Sequence, residues 1–185
     1  MRPYLAACAL YCLLGAAFAR STKFPSTIVW LQALRKDETF LAANLRAAER
    51  KQILEQVEAT SFDVPDSWPS ELRLRRLPLG EAEGLVIRGT RLLCGGTGNC
   101  ETWVFRRFGG KWLNLFRQPV PVISGLGFTR ETTGGIKNLY VRANSAAERE
   151  SRTLYKFDGE FYRPSECYDV SLRAAKEIIE KVPCK

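Results

Sequence analysis

The pattern of hydrophobic and polar residues changes its period once along this chain, near residue 69. Before that point hydrophobic residues recur every three or four positions, which is typical of helices, and after it they alternate, which is typical of strands. The change coincides with segment 61–69, whose prolines and acidic residues favour turns. We therefore predict a helical segment over 20–68 and a β-rich core over 69–185, joined in one domain.

Three helices are predicted. The first is short and combines N-cap residues with hydrophobic residues on one side: Ser26, Thr27, Ile28, Leu31 and Leu34. The second runs from Asp37 to Glu58, with a break near Asn44. The third begins at an N-cap near the C-terminus, ends before a proline and carries five apolar residues on one face: Asp169 or Ser171 as the cap, Pro183 as the stop, and Leu172, Ala175, Ile178, Ile179 and Val182.

The second region predicts an antiparallel meandering sheet of about six to eight strands, because its short alternating segments are bounded by turn-forming residues. The predicted strands are 72–75, 84–88, 91–94, 102–107, 111–116, 139–143, 153–157 and 160–163. The predicted fold class is α+β, with the two N-terminal helices and the C-terminal helix packed on one face of this sheet.

The first nineteen residues have the composition of a secretory signal peptide. Arg2 supplies a positive charge, residues 5–17 are almost wholly apolar, and Ala17-Phe18-Ala19 fits a small-x-small cleavage site. The apolar stretch is shorter than the roughly twenty residues that span a bilayer. We predict cleavage after Ala19 and a periplasmic or secreted protein without a transmembrane segment.

Cleavage would leave four of the six cysteines, which predicts two disulfides in an oxidising compartment: Cys94, Cys100, Cys167 and Cys184. The first two flank a glycine-rich loop that permits a tight turn, so they are the first predicted pair. The other two pair by exclusion. A helix between them would separate its ends by about 15 to 19 Å, whereas a disulfide allows Cα separations of about 4.4 to 6.8 Å. The residues beside that helix would therefore have to fold back.

Charge and composition limit the possible functions. The formal net charge is +8, spread along the chain, which favours anionic partners but is also explained by solubility alone; nucleic acid is not the expected partner. The chain contains no histidine, so a Ser-His-Asp triad, a His-ligated zinc site and an imidazole base are excluded within it. The cysteine spacing does not fit a zinc site, and loop 95–101 lacks a phosphate-binding glycine pattern. No cofactor or metal is predicted.

Paired carboxylates could still hydrolyse glycans without histidine. The candidates in the β-rich region are Glu101, Asp158, Glu160, Glu166 and Asp169. Their spacing selects no pair.

Two features are candidate binding sites. Thr97 and Asn99 lie in the disulfide loop, and a disulfide reduces the conformational entropy that a loop loses on binding. Arg73, Arg75 and Trp112 could together form a cationic, aromatic sheet face for an anionic ligand. Two further aromatic residues on a predicted strand are interpreted as core that faces the helices: Trp103 and Phe105.

The run 92–100, followed by Trp103-Val104-Phe105 and later by Phe157-Asp158-Gly159 and Cys167-Tyr168, resembles uncharacterised secreted bacterial proteins. The resemblance covers residues 85–168. It implies an exported bacterial β-rich domain and carries no catalytic residue. We expect a binding or inhibitor-like module without enzymatic activity, whose partner is another envelope protein or an anionic glycan. The alternatives are a structural cell-envelope protein and a carboxylate-dependent hydrolase that acts on glycans.

Overall fold

A computed structural model of the protein describes residues 28–31, 37–61, 66–117, 121–173 and 176–184. The predicted signal peptide lies outside these ranges, as do Ser26, Thr27 and Leu34 of the first predicted helix. Within the described ranges the chain forms one α-helix and two antiparallel β-sheets, so the α+β class is confirmed.

The helix, α1, spans Ala47–Thr60. The strands are β1 (Val29–Trp30), β2 (Glu38–Thr39), β3 (Leu72–Pro78), β4 (Glu83–Gly89), β5 (Cys100–Phe108), β6 (Lys111–Asn114), β7 (Val122–Ile123), β8 (Gly125–Thr133), β9 (Ile136–Ala146), β10 (Arg149–Phe157), β11 (Tyr162–Arg173) and β12 (Lys176–Val182). Two short 3₁₀ turns cover Trp68–Glu71 and Arg91–Leu93.

The strands form two meanders rather than the single sheet that we predicted. The first sheet has the order β1-β8-β9-β10-β11-β12, and the second has the order β2-β3-β4-β5-β6, with β7 paired to the start of β5. Neighbouring strands are mostly consecutive in the chain, because short turns such as Gly109-Gly110, where both glycines have positive φ, join antiparallel strands directly.

Three apolar clusters divide the molecule into layers. Helix α1 packs through Ile53 and Val57 on one face of the second sheet, against a cluster that includes Trp103 and Phe105. The other face of that sheet packs on the first sheet, where Val104 belongs to the inter-sheet cluster. The far side of the first sheet, which we call the outer face, carries a smaller cluster: Tyr140, Leu154 and Tyr168.

The predicted C-terminal helix is wrong, because residues 162–173 and 176–182 form the paired strands β11 and β12, while Ala175 of that prediction lies outside the described residues. The helical spacing of Leu172, Ile178 and Ile179 is real, but strand pairing overrides it: Ile179 lies opposite Val170 and packs against the outer-face cluster. The hairpin also removes the conflict with the disulfide. Cys167 lies opposite Val182, and its bond to Cys184 joins Cα atoms 5.2 Å apart.

The N-terminal helix predictions also need correction. Residues 28–31 contain strand β1 instead of a helix. The second helix begins only at Ala47, because residues 40–43 form a turn whose carbonyls accept hydrogen bonds from the Arg50 guanidinium. Segment 91–93 is a 3₁₀ turn and not a strand, and strand β8 was not predicted.

Candidate functional site

A cleft of about 510 Å³ lies on the outer face of the first sheet, beside the disulfide loop. We call it the outer cleft. Strands β9 to β12 form its floor, and Gly96 and Thr97 of the disulfide loop close one side. The residues that line it are Gly96, Thr97, Arg142, Asn144, Ala146, Ala147, Glu148, Arg149, Glu150, Arg152, Val170, Leu172 and Glu177. The cleft therefore joins loop, strand and hairpin elements that are far apart in the chain.

The disulfide loop is fixed to strand β9 by a reciprocal pair of hydrogen bonds. The Asn99 side chain donates to the Asn144 carbonyl over 2.8 Å and accepts from the Asn144 backbone N–H over 2.8 Å. The Asn144 side chain in turn donates to the Thr97 carbonyl over 3.0 Å. The Cys94–Cys100 disulfide closes the base of the same loop. The wall of the outer cleft is consequently held at both ends.

Arg152 lies at the floor of the outer cleft with only 8% of its surface exposed. Its guanidinium donates to the Glu150 carboxylate and makes a two-pronged contact with Glu177, at 2.7 and 3.2 Å. A buried cation needs such partners, because an isolated buried charge is strongly unfavourable. The hydrogen bond from Arg152 is the main cause that lowers the pKa of Glu177 below its ordinary value of 4.5.

Arg142 forms the side of the outer cleft next to strand β8. Its guanidinium lies 5.4 Å from the centre of the Trp30 ring, and its Nε atom is 3.8 Å from Glu150. Gly125 lies directly opposite on β8, and a Cβ there would approach Arg142 Nε to 2.7 Å. The missing side chain therefore provides the room that this arginine occupies.

Arg149 begins strand β10 at the rim of the outer cleft and is exposed. Within the described part of the chain it makes no ion pair, and neither does Glu148 beside it. The arginines and glutamates of the floor thus neutralise one another in ion pairs. The charged side chains at the rim, Glu148 and Arg149, have no such partner among the described residues and can contact a ligand.

The two loop residues that we predicted as binding residues have different surroundings. Thr97 is exposed at the edge of the outer cleft. Asn99 is only partly exposed, and its amide is occupied by Asn144. The structure therefore gives Asn99 a positioning role within the protein.

The predicted cationic sheet face does not exist as one surface. Leu72 and Leu74 face helix α1, so the alternating Arg73 and Arg75 point towards the first sheet, where both are partly buried. Arg75 also forms an ion pair with Asp37. Trp112 lies on the opposite, helix-facing side and is fully buried. These three residues accordingly cannot contact one ligand together.

The five candidate carboxylates are dispersed. Glu101 is buried beside Ser61, and Asp158 caps its own turn with hydrogen bonds of 2.9 and 2.7 Å from backbone N–H groups. Glu160 is paired with an arginine on the surface. Glu166 accepts from Tyr168, while Asp169 projects from the opposite face of β11. Among the described residues, no group of three or more potential metal ligands is present.

The sequence analysis missed the residues of the outer cleft. Arg142 and Asn144, then Glu150 and Arg152, alternate with residues of the opposite face, and this period-two pattern could have placed each pair on one side of its strand. Glu177 could not be found, because the C-terminal segment was interpreted as a helix.

Comparisons with known proteins found no matching family model, no similar curated protein and no similar solved structure. Of the helices formed by the described residues, none has the length and apolar character needed to cross a membrane.

Proposed function

We propose that this protein is an exported, non-enzymatic binding module whose outer cleft holds an anionic glycan. One observation supports the proposal above others: a disulfide-closed loop, fixed by the Asn99 and Asn144 hydrogen bonds, forms a rigid wall beside Arg142 and Arg149. A rigid wall lowers the entropy that is lost when a ligand binds.

The size of the outer cleft favours an oligosaccharide over a folded protein as the ligand. Its volume of about 510 Å³ falls within the range of about 300 to 1,000 Å³ that is usual for small-ligand sites. Guanidinium groups are well suited to carboxylates and sulfates, because their planar forks donate two parallel hydrogen bonds. The exposed apolar side chain of Leu172 offers contact area for the face of a sugar ring.

The acids in the outer cleft do not favour a glycosidase. General acid catalysis requires a carboxyl group with a raised pKa. Burial in apolar surroundings can raise the pKa of a carboxyl group in this way. The hydrogen bond from the Arg152 guanidinium instead lowers the pKa of Glu177. Binding without hydrolysis is therefore the better supported function, and two disulfides fit the oxidising compartment in which such a protein would work.

The proposal is tested by calorimetric titration with a galacturonic acid trimer, with maltotriose as the neutral control. Arg149→Glu should weaken binding of the acidic trimer about tenfold or more, since a charge-assisted hydrogen bond contributes about 1.5 kcal/mol or more. Arg130→Glu makes the same charge change on exposed strand β8, outside the cleft lining, and should leave the affinity nearly unchanged.

High salt should weaken the interaction with the acidic trimer. Equal affinity for the two trimers, or equal effects of the two variants, would contradict a site at Arg149. Capture of an envelope protein by the wild type, with no binding of the acidic trimer, would indicate a protein partner instead.

A further inference from the structure

The two sheets end in four edge strands, and three of these edges are short or covered. Strands β1 and β2 contain two residues each. Strand β6 is longer, but helix α1 covers its edge: Gln56 donates to the Trp112 carbonyl over 2.8 Å and accepts from the Asn114 N–H over 2.9 Å, and Gln52 accepts from the Trp112 N–H over 3.1 Å. Side-chain amides thus replace a neighbouring strand.

Strand β12 is the fourth edge, and it differs from the others. All seven of its residues pair with β11 on one side. On its other side, no described residue makes a hydrogen bond to its backbone. The disulfide to Cys184 holds the strand against β11 just beyond its end. A long, exposed and ordered edge is a template for pairing with another strand.

The sequence of β12 suits pairing with itself. Residues that lie directly opposite each other in a sheet share one face, so two identical antiparallel strands related by a twofold axis pair only when the numbers of the opposed residues add to an even sum. Among the even-sum registers of K-E-I-I-E-K, residues 176–181, those centred on a lysine or a glutamate place that charge opposite itself, whereas those centred on Ile178 or Ile179 oppose no like charges. Symmetry also excludes the register that would place Lys176 opposite Lys181 and Glu177 opposite Glu180, so the two registers centred on isoleucine are the ones without opposed like charges.

The register centred on Ile179 uses the whole strand, since Ile179 is the midpoint of Lys176–Val182. It places Glu177 of each copy opposite Lys181 of the other, which makes two symmetric pairs. Opposite charges that face each other across two strands are favourable. Both side chains keep exposed surface for this contact, with exposed fractions of 47% and 56%, beside their existing ion pairs with Arg152 and Glu166. Ile178, which is 44% exposed, would lie diagonal to Ile178 and Val182 of the second copy.

We propose that β12 pairs antiparallel with β12 of a second copy of this chain, centred on Ile179, so that the two first sheets become one continuous sheet. The pairing is closed, because it uses the free edge of each copy. The twofold axis is perpendicular to the sheet and keeps both outer faces on the same side. The dimer would thus present two outer clefts on one surface, although its formation does not depend on what they bind.

The register is tested by cysteine cross-linking of the full mature protein under mild oxidation. Ile179→Cys places two thiols directly opposite, with Cβ atoms about 4.5 to 5.5 Å apart, whereas Ile178→Cys places them diagonally, with Cα atoms about 7 to 8 Å apart. A disulfide needs Cβ atoms about 3.5 to 4.5 Å apart. We expect a covalent dimer from Ile179→Cys and little from Ile178→Cys, with peptide mapping to verify both native disulfides.

Light scattering of the unmodified protein provides a second measurement that no substitution can disturb. We expect twice the monomer mass at high concentration, with dissociation on dilution and in high salt, since the Glu177 and Lys181 pairs are exposed. A monomer at every concentration would overturn the proposal. Efficient cross-linking through Ile178→Cys with none through Ile179→Cys would overturn the register.

Discussion

At the scale of single residues, two asparagines decide how the outer cleft is built. Asn99 occupies both backbone groups of Asn144, and the Asn144 side chain occupies the Thr97 carbonyl. An amide suits this position because it carries a donor and an acceptor side by side. An exposed loop that would otherwise contact strand β9 weakly is thereby ordered against it.

This arrangement predicts opposite outcomes for the two loop residues. Asn99→Ala removes two hydrogen bonds and should lower the free energy of unfolding by about 1 to 3 kcal/mol. Thr97→Ala changes an exposed side chain and should alter it by less than about 0.5 kcal/mol. Urea denaturation of the two variants and the wild type measures the difference. Equal stabilities of the two variants would show that the Asn99 contacts do not hold the loop.

At the scale of elements, helix α1 has two tasks. Its apolar side, with Ile53 and Val57, covers one face of the second sheet. Its glutamines cover the edge of β6 and provide the partners that the backbone of Trp112 and Asn114 needs. Unpaired backbone groups at a buried edge cost free energy comparable to a lost hydrogen bond.

The second task is tested with Gln56→Met, which keeps the length of the side chain but removes its amide. We expect a loss of about 1 to 3 kcal/mol in the free energy of unfolding, because backbone groups of Trp112 and Asn114 lose their partner. Hydrogen exchange should become faster at the Asn114 amide. Glu55→Met, on an exposed position of the same helix, is the control and should leave that exchange rate unchanged.

At the scale of the whole molecule, three layers bury the phenol groups of the chain beyond the predicted signal peptide. These four tyrosines are Tyr140, Tyr155, Tyr162 and Tyr168. Burial, which disfavours the charged phenolate, raises the pKa of Tyr140 to about 12 and raises the pKa values of the other three. The native fold therefore favours neutral tyrosines.

This predicts how the chain without the predicted signal peptide responds to alkali. The contribution of the four neutral phenols to the free energy of unfolding is fully present below pH 10.0, the ordinary tyrosine pKa. It is then lost as the pH rises through about 12, because the buried phenols must ionise. Absorbance of phenolate near 295 nm should stay low in the native protein at pH 10.0 to 11 and rise together with unfolding. The same protein in guanidinium chloride is the control and should titrate near pH 10. A native midpoint near 10 would contradict the burial of these groups.

Several features could be predicted from local patterns, because local chemistry decides them. Trp103 and Phe105 alternate with polar or smaller residues and were expected to face the helix, as they do. Cys94 and Cys100 are close in sequence, and their pairing is confirmed together with that of Cys167 and Cys184. The prediction failed for β12, where a segment with helical spacing pairs with β11.

Residue types and neighbours along the chain were sufficient to predict the α+β class, the change of period, the two disulfides and the exclusion of histidine chemistry. Tertiary structure alone decided that the strands divide into two sheets and that Arg73 and Arg75 face the other sheet while Trp112 faces the helix. It also decided that Arg142, Arg152 and Glu177 meet in one cleft. Alternation tells which residues share a face, but only the packing of one layer on another decides which face meets solvent.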